Sequence, residues 1–297
     1  MKALIIGYGS IGKKHFLAMN ELGFDISIVS KTANTKNIKN YKNIQDVNLN
    51  EYDLFVICNI TTEHFKTLSF LDKNVKNKTI LVEKPLFEKY KKFKSSQNNK
   101  IYIAYLLRFN SLVCELKNII ANDKNIYFCE FNCGSYLPNW RDVDYTKNYS
   151  AKKELGGGVL LDLSHELDLA FYFFGNLKLL YSQNLKISEL DINSDDFAFL
   201  SLSAKKKFIH IKLDYFSKFN KREIILHSFE NSYKADLINN ILYIFDKNKN
   251  TKEKEYKNDT INTLKNMHKA ILNNDENLCD LNEALKVLRL SDKVKNV

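Results

Sequence analysis

Asp162, His165 and Asp168 recur every third residue in the run Gly156-Gly157-Gly158-Val159-Leu160-Leu161-Asp162-Leu163-Ser164-His165-Glu166-Leu167-Asp168. Three glycines entering an apolar helix allow a close backbone approach. The spacing predicts the three polar side chains on roughly one helix face. Polar groups on an otherwise apolar helix need partners or a task. They read either as a satisfied buried Asp–His pair or as catalytic groups. Upstream, Trp140, Arg141, Tyr145 and Tyr149 concentrate aromatic, cationic and hydroxyl groups, a composition suited to a sugar, with Arg141 and the tyrosines suited to a phosphate or carboxylate on it. A further cation, Lys84, lies in Glu83-Lys84-Pro85-Leu86, directly after the apolar run Thr79-Ile80-Leu81-Val82. Proline cannot continue a strand ladder and fixes the exit angle, often with a special peptide geometry, so Lys84 is placed at the mouth of a sheet.

The elements that position these residues begin at the amino terminus. Ala3-Leu4-Ile5-Ile6 is an apolar run expected of a strand buried on both faces. It enters Gly7-Tyr8-Gly9-Ser10-Ile11-Gly12, followed by a helical pattern through Phe16, Met19 and Leu22 that Gly23 closes. Gly7 permits the tight turn, Gly9 lets backbone touch a pyrophosphate, and Gly12 lets the helix pack against the strand. Strand, turn and helix in that order predict a dinucleotide site. Ser10 and Ile11 lie in its turn. A second strand, Asp25–Val29, ends in Ser30-Lys31-Thr32, two hydroxyls and a cation with no carboxylate. That set favours NADP over NAD, because a carboxylate there would repel the 2′-phosphate. The buried strand at Tyr52–Cys58 ends in Asn59-Ile60-Thr61-Thr62-Glu63-His64, placing Asn59 and Thr61 near the nicotinamide half or its ribose. His64 reads as a structural histidine at a helix start or as part of the cofactor wall. The cofactor-facing set closes with Glu83, Lys84 and Arg108, the last in the crossover Leu106–Asn110 after the strand at Ile101–Tyr105.

Length and composition bound the rest. The 297 residues suffice for two domains, and 44% hydrophobic residues suffice for a core. No apolar run is long enough to span a bilayer, and the first residues lack a signal-peptide plan, so a cytoplasmic protein is expected. The five cysteines are odd in number and scattered. Cys129 and Cys133 fall within an alternating strand, and reduced core thiols are expected rather than a metal or disulfide site. The net charge of +10 comes from lysines spread beside asparagines, as in Lys36-Asn37 and Lys39-Asn40, rather than from a stripe that would bind nucleic acid.

The second half changes texture. Alternating runs at 125–137, 178–187, 198–204, 208–216, 222–229 and 241–245 imply an antiparallel or mixed sheet. The apolar helix Glu166–Phe174, closed by Gly175, covers one face, and an open second face suggests a partner chain. Asp259 and Asp280 are expected to cap two terminal helices. The predicted fold is α/β: a Rossmann doubly wound parallel sheet over residues 1–105, then an α+β domain with a large open mixed or antiparallel sheet over residues 106–297.

Nearly end to end, the chain resembles the glucose–fructose oxidoreductase/inositol dehydrogenase/rhizopine-catabolism family, Gfo/Idh/MocA. The resemblance rests on Gly7-x-Gly9-x-x-Gly12-x-x-His15, on Glu83-Lys84-Pro85 and on the Gly156–Asp168 motif, in this order. It implies NAD(P)-dependent oxidation or reduction of a sugar, cyclitol or sugar nucleotide, and a homodimer or homotetramer formed through the open sheet. It implies that Lys84 lies beside the nicotinamide and the substrate hydroxyl and that His165 is the acid or base. The substrate set is then Lys84, Arg108, Trp140, Arg141, Tyr145, Tyr149, Asp162 and His165. No metal is implied. Surface-sugar biosynthesis is the expected setting. Many members carry an aspartate four residues before the histidine, where this chain has Leu161. That departure keeps a second reading open, a dinucleotide-binding regulator or partner subunit with little or no catalysis.

Overall fold

A computed structural model describes residues 1–295. Among the described residues the chain forms two compact units, Met1–Phe109 with Asp259–Leu285, and Asn110–Asn258 with 286–295. The expected boundary at 105/106 and the single crossing are therefore corrected. The chain crosses at Phe109, and a later segment, 259–285, returns to the first unit.

In the first unit, β1 (Lys2–Ile6) leads into α1 (Ser10–Glu21), followed by β2 (Asp25–Val29), β3 (Lys39–Tyr41), β4 (Leu54–Ile57), α2 (Thr61–Asn74), β5 (Thr79–Val82) and β6 (Lys100–Ile103). β1, β4 and β5 are short apolar runs because they are buried on both faces, with Leu4, Ile5, Phe55, Val56, Ile80 and Leu81 fully buried. These strands are all parallel, and one short antiparallel strand from the returning segment completes the edge. β1 is flanked by β2 on one side and β4 on the other. The strand order thus reverses between β1 and β4, where open α/β sheets bind ligands at their carboxyl ends.

In the second unit, α3 (Ser111–Asn122) is capped by the Asn110 side chain, which accepts from the Leu112 and Val113 amides. It leads to β7 (Phe128–Gly134), α4 (Val159–Asp162), α5 (His165–Phe174), β8 (Lys178–Leu185), β9 (Phe197–Ala204), β10 (Lys207–Asp214), β11 (Lys221–His227), β12 (Asn231–Asp236), β13 (Ile241–Asp246) and β14 (Thr251–Glu255). They build one eight-stranded sheet in the order β14-β13-β12-β11-β7-β10-β9-β8. All neighbours are antiparallel except β7 and β10, so the sheet is mixed. β12 and β14 were not legible as alternating apolar runs. β14 is Thr251-Lys252-Glu253-Lys254-Glu255, exposed throughout, and is a strand only because β13 offers it a ladder.

The remaining elements are α6 (Thr260–Asn273), β15 (Cys279–Asp280) and α7 (Leu281–Lys295). Asp259 caps α6 by accepting from the Asn262 amide at 2.8 Å, and Asp280 accepts from the Glu283 amide at 2.8 Å. Leu264, Met267, Ala270 and Ile271 of α6 join Ala18 and Met19 of α1 in one core cluster, which is why this segment belongs to the first unit. All five cysteines are free thiols. Burial pushes the Cys133 thiol up to about 12, with the Glu166 charge adding to it. Among the described residues, no helix is long and apolar enough to cross a membrane.

Candidate functional site

The glycine turn after β1 has the shape that its spacing predicts. Gly7 has φ +96°, and a Cβ there would lie 2.5 Å from the Asn59 nitrogen. A Cβ on Gly12 would lie 2.3 Å from the Gly7 carbonyl oxygen. Gly9 differs, because nothing lies within 4 Å of where its Cβ would be. Two glycines therefore let chain pack on chain, and the third faces open space. That space adjoins the start of α1, whose amino end has no side-chain cap and no acidic residue in its first turn. Uncapped amides and a positive helix end suit a pyrophosphate. Ser10 and Ile11 occupy this first turn. The residues present thus fit a dinucleotide.

At the end of β2, Ser30 and its neighbours form a tight turn. The Ser30 hydroxyl accepts from the Ala33 amide at 3.1 Å, and the Ser30 amide donates to Asn40 Oδ1. Lys31 and Thr32 are exposed. Lys42 brings a second cation to this turn, donating from Nζ to the Lys31 carbonyl at 3.2 Å.

The ends of β4 and β5 lie along the same sheet edge as the glycine turn. The Lys84–Pro85 peptide is cis. Lys84 is half-buried, and its amide donates to Glu83 Oε2 at 3.1 Å. Asn59 donates to Thr67 Oγ1 at 2.8 Å, and Thr61 opens α2. His64 is structural: it is buried with Nδ1 3.0 Å from the Pro85 carbonyl and Nε2 3.1 Å from the Asn59 carbonyl. It ties the β4 and β5 loops together through both ring nitrogens, which corrects the expected place of His64 in the cofactor wall. Arg108, expected to face both cofactor and substrate, is instead held in the interior of the first unit. It is 1% exposed, and its Nη1 donates to Glu283 Oε2 at 2.9 Å and to the Asn277 carbonyl at 3.3 Å. A buried guanidinium fixed by the returning segment serves the fold of the first unit.

One group here escaped the sequence reading. Glu83 Oε1 lies 2.7 Å from His15 Nε2, and His15 Nδ1 lies 2.8 Å from His268 Nε2. Both histidines are fully buried. The carboxylate can only accept, so His15 Nε2 donates to it. His268 comes from α6, beside Met267 on its apolar face, and nothing in its local sequence marks a partner 253 residues away. Burial, aided by the neighbouring His15, pushes the His268 pKa well below its ordinary value. The folded chain therefore keeps His268 neutral while the unfolded chain protonates it below about 6.5. The associated stability is present above that pH and is lost as pH falls, by about 1.4 kcal/mol per pH unit. Lowering the pH from 6.5 toward 5 is expected to reduce stability through this residue. Urea unfolding of the first unit should show that loss, and His268→Gln should flatten it. An identical pH slope in the variant would contradict the assignment.

In the second unit, the predicted single helical face is corrected. α4 ends at Asp162, Leu163 has φ −98° and ψ 32°, and a separate helix starts at His165. Asp162, His165 and Asp168 are all buried, but they are not in one helical register. Gly158 (φ +121°) explains the approach: a Cβ there would meet the Asp195 carboxylate at 2.2 Å. Asp195 accepts from the Leu160 amide and fixes the start of α4. Asp162 Oδ2 accepts from the Tyr215 hydroxyl at 2.6 Å. Burial and the Asp162 charge push Tyr215 and Tyr149 above the usual tyrosine range, so both remain neutral donors. Tyr215 could have been found from sequence, since it continues the inward alternation Ile209, Ile211, Leu213. Trp140 Nε1 donates to Ser135 Oγ at 2.8 Å, and its ring meets Tyr215 edge-on at 5.2 Å. The Arg141 guanidinium lies 5.3 Å from the Tyr149 ring. Tyr145 is turned to the loop, where its hydroxyl accepts from the Asp191 amide at 3.2 Å. The second unit thus collects Trp140, Arg141, Tyr149, Asp162 and Tyr215 in one linked cluster. Among the described residues, no group of three or more His, Cys, Asp and Glu side chains could hold a metal ion.

No family description and no curated protein matches this sequence. Solved structures match its fold over the whole chain. UDP-N-acetylglucosamine 3-dehydrogenase from Acidithiobacillus ferrooxidans is 16% identical, with TM-score 0.79, covering 100% of this chain and 97% of its own. Levoglucosan dehydrogenase in complex with NADH and levoglucosan is 15% identical, with TM-score 0.84 and coverages of 100% and 96%. An NAD-binding oxidoreductase from Klebsiella pneumoniae is 13% identical, with TM-score 0.83 and the same coverages, 100% and 96%. The chain has the two-domain fold of these proteins.

Proposed function

We propose that this chain is an NAD(P)-dependent oxidoreductase of the Gfo/Idh/MocA kind. It transfers a hydride between a nicotinamide cofactor and a CH–OH carbon of a sugar or sugar nucleotide. The observation that carries this reading is the glycine turn at the reversal of strand order, open at Gly9, with Glu83 and Lys84 on the same sheet edge. Two proteins of the same fold are described as dehydrogenases of UDP-N-acetylglucosamine and of levoglucosan, which supports a carbohydrate substrate.

The amides around Gly9, Ser10 and Ile11 hold the pyrophosphate, and Ser30, Lys31 and Thr32 hold the adenosine end. When bound, the nicotinamide supplies the hydride acceptor or donor. Lys84 stabilises the developing alkoxide and lowers the hydroxyl's pKa. His165 holds the hydroxyl's proton on oxidation and returns it on reduction. Asp162, engaged by Tyr215, is a positioning group rather than a proton carrier. The exposed turn with Lys31 and Lys42 favours NADP. Lys31→Ala should reduce the preference for NADPH over NADH by roughly fivefold in a fluorescence titration. Equal affinity of the wild type for the two dinucleotides would overturn the preference.

The working setting is cytoplasmic surface-sugar biosynthesis. The chain works as a homodimer or homotetramer through the second sheet, whose exposed Tyr181, Phe208 and Phe229 would be covered. The test is reduction of NAD(P)⁺ across a panel of sugars and sugar nucleotides by purified protein. A second reading is favoured by Leu161 at the usual aspartate position: a dinucleotide-binding regulator. Tight dinucleotide binding with no turnover on the panel would select it.

A further inference from the structure

A cleft of about 500 Å³ opens in the second unit, lined by Tyr136, Asn139, Trp140, Arg141, Lys218 and Asn220. The first four follow β7, and the last two lie in the loop from β10 to β11. β7 stands between β10 and β11, so both loops leave one end of three adjacent strands. The Ser135 amide donates to the Asp214 carbonyl and the Leu137 amide to the Tyr215 carbonyl, which locks the loops together. Two of the six lining side chains are cations, two are amides, two are aromatic and none is acidic. Lys218 Nζ lies 3.3 Å from the centre of the Tyr136 ring, which holds the ammonium at the cleft. The Arg141 guanidinium lies 5.3 Å from the centre of the Tyr149 ring. The floor is continuous with the Asp162 cluster, through the Trp140–Tyr215 edge contact and the Tyr215–Asp162 hydrogen bond.

Two cations, two aromatic rings and two side-chain amides in a lining with no carboxylate describe a receptor for a phosphoryl group carried next to a ring. We propose that this cleft holds the phosphoryl end of the substrate, so that the substrate is a sugar bearing a phosphate or diphosphate rather than a free sugar. Arg141 gives the forked donor pair, Lys218 the point charge, and Tyr136 and Trp140 the faces for the attached sugar or base. This rests on the oxidoreductase reading above and narrows its substrate class. Neither Lys218 nor Asn220 carries any sequence signal, because the loop Phe216–Asn220 has no motif.

The test is calorimetric binding of inorganic phosphate, pyrophosphate and uridine diphosphate to the full chain, with glucuronate and free glucose as controls. Arg141→Ala and Lys218→Ala lie at the surface and keep the fold, which the unfolding midpoint checks. Pyrophosphate or uridine diphosphate should bind, and each variant should weaken that binding at least about tenfold without changing dinucleotide affinity. Tighter uridine diphosphate than pyrophosphate identifies a nucleotide source, and equal affinity a simple sugar phosphate; both support the cleft. Unchanged affinity in both variants, or binding of glucuronate alone, overturns it. Phosphoryl binding without turnover on any substrate would instead overturn the oxidoreductase reading and leave the cleft in place.

Discussion

Replacing Lys84 or His165 by alanine is expected to lower turnover at least about a hundredfold in each case while leaving dinucleotide affinity largely intact. The expectation separates because each residue is held independently of the cofactor cradle. Lys84 follows β5, and its position depends on Glu83, whose two oxygens accept from the Lys84 amide and from His15. The glycine turn follows β1 and needs neither side chain. His165 opens α5 in the second unit, on a segment fixed by Asp195 and Gly158. A stabilised alkoxide and a proton acceptor are each worth two or more powers of ten when they act in the transition state. The loss should therefore appear in kcat, with KM for the dinucleotide unmoved. Lys84→Arg keeps a charge but not a point-like ammonium and should recover only part of the rate. Wild-type turnover in both alanine variants would sink the assignment, and loss of dinucleotide binding would mean that the residues support the cradle instead.

How much of this was written in the sequence depends on range. β1, β4 and β5 announce themselves because strands buried on both faces must be uniformly apolar. Gly7, Gly9 and Gly12 announce themselves by their spacing after an apolar strand, and at Gly7 and Gly12 the chain packs too closely for any side chain. The caps at Asp259 and Asp280 are equally local. Contacts between distant segments were not legible. Arg108 looked like a ligand group because it is a cation at a crossover, yet Glu283, 175 residues later, fixes it in the interior. His15 looked like a motif residue whose partners the motif does not name, and both Glu83 and His268 are remote. The break after Asp162 was hidden because Leu163 and Ser164 have ordinary helix tendencies, and tertiary ties from Asp195 and Tyr215 decide the geometry. Spacing alone put Asp162 and His165 on one helix, and the break at Leu163 and Ser164 puts them on two.

The three glycines of the first turn should fail differently when each is replaced by alanine. At Gly12 the added Cβ would sit 2.3 Å from a backbone oxygen, the Gly7 carbonyl, which cannot rotate away as a side chain would. α1 must then lift from β1, at a cost of about 1–3 kcal/mol. Because the amino end of α1 moves with it, dinucleotide affinity should fall about a hundredfold. At Gly7 the clash with Asn59 and the positive φ act together, and the destabilisation should be at least as large. At Gly9 the backbone is ordinary, with φ −78°, and the Cβ would enter empty space, so stability should stay within about 0.5 kcal/mol of the wild type. Dinucleotide affinity should still fall, by tenfold or more, if that space is where the pyrophosphate lies against backbone. Unfolding midpoints and dinucleotide titrations on the three variants read the two effects separately. A Gly9→Ala variant that binds dinucleotide as the wild type does would remove the pyrophosphate from this turn, whatever Gly12→Ala did to the fold.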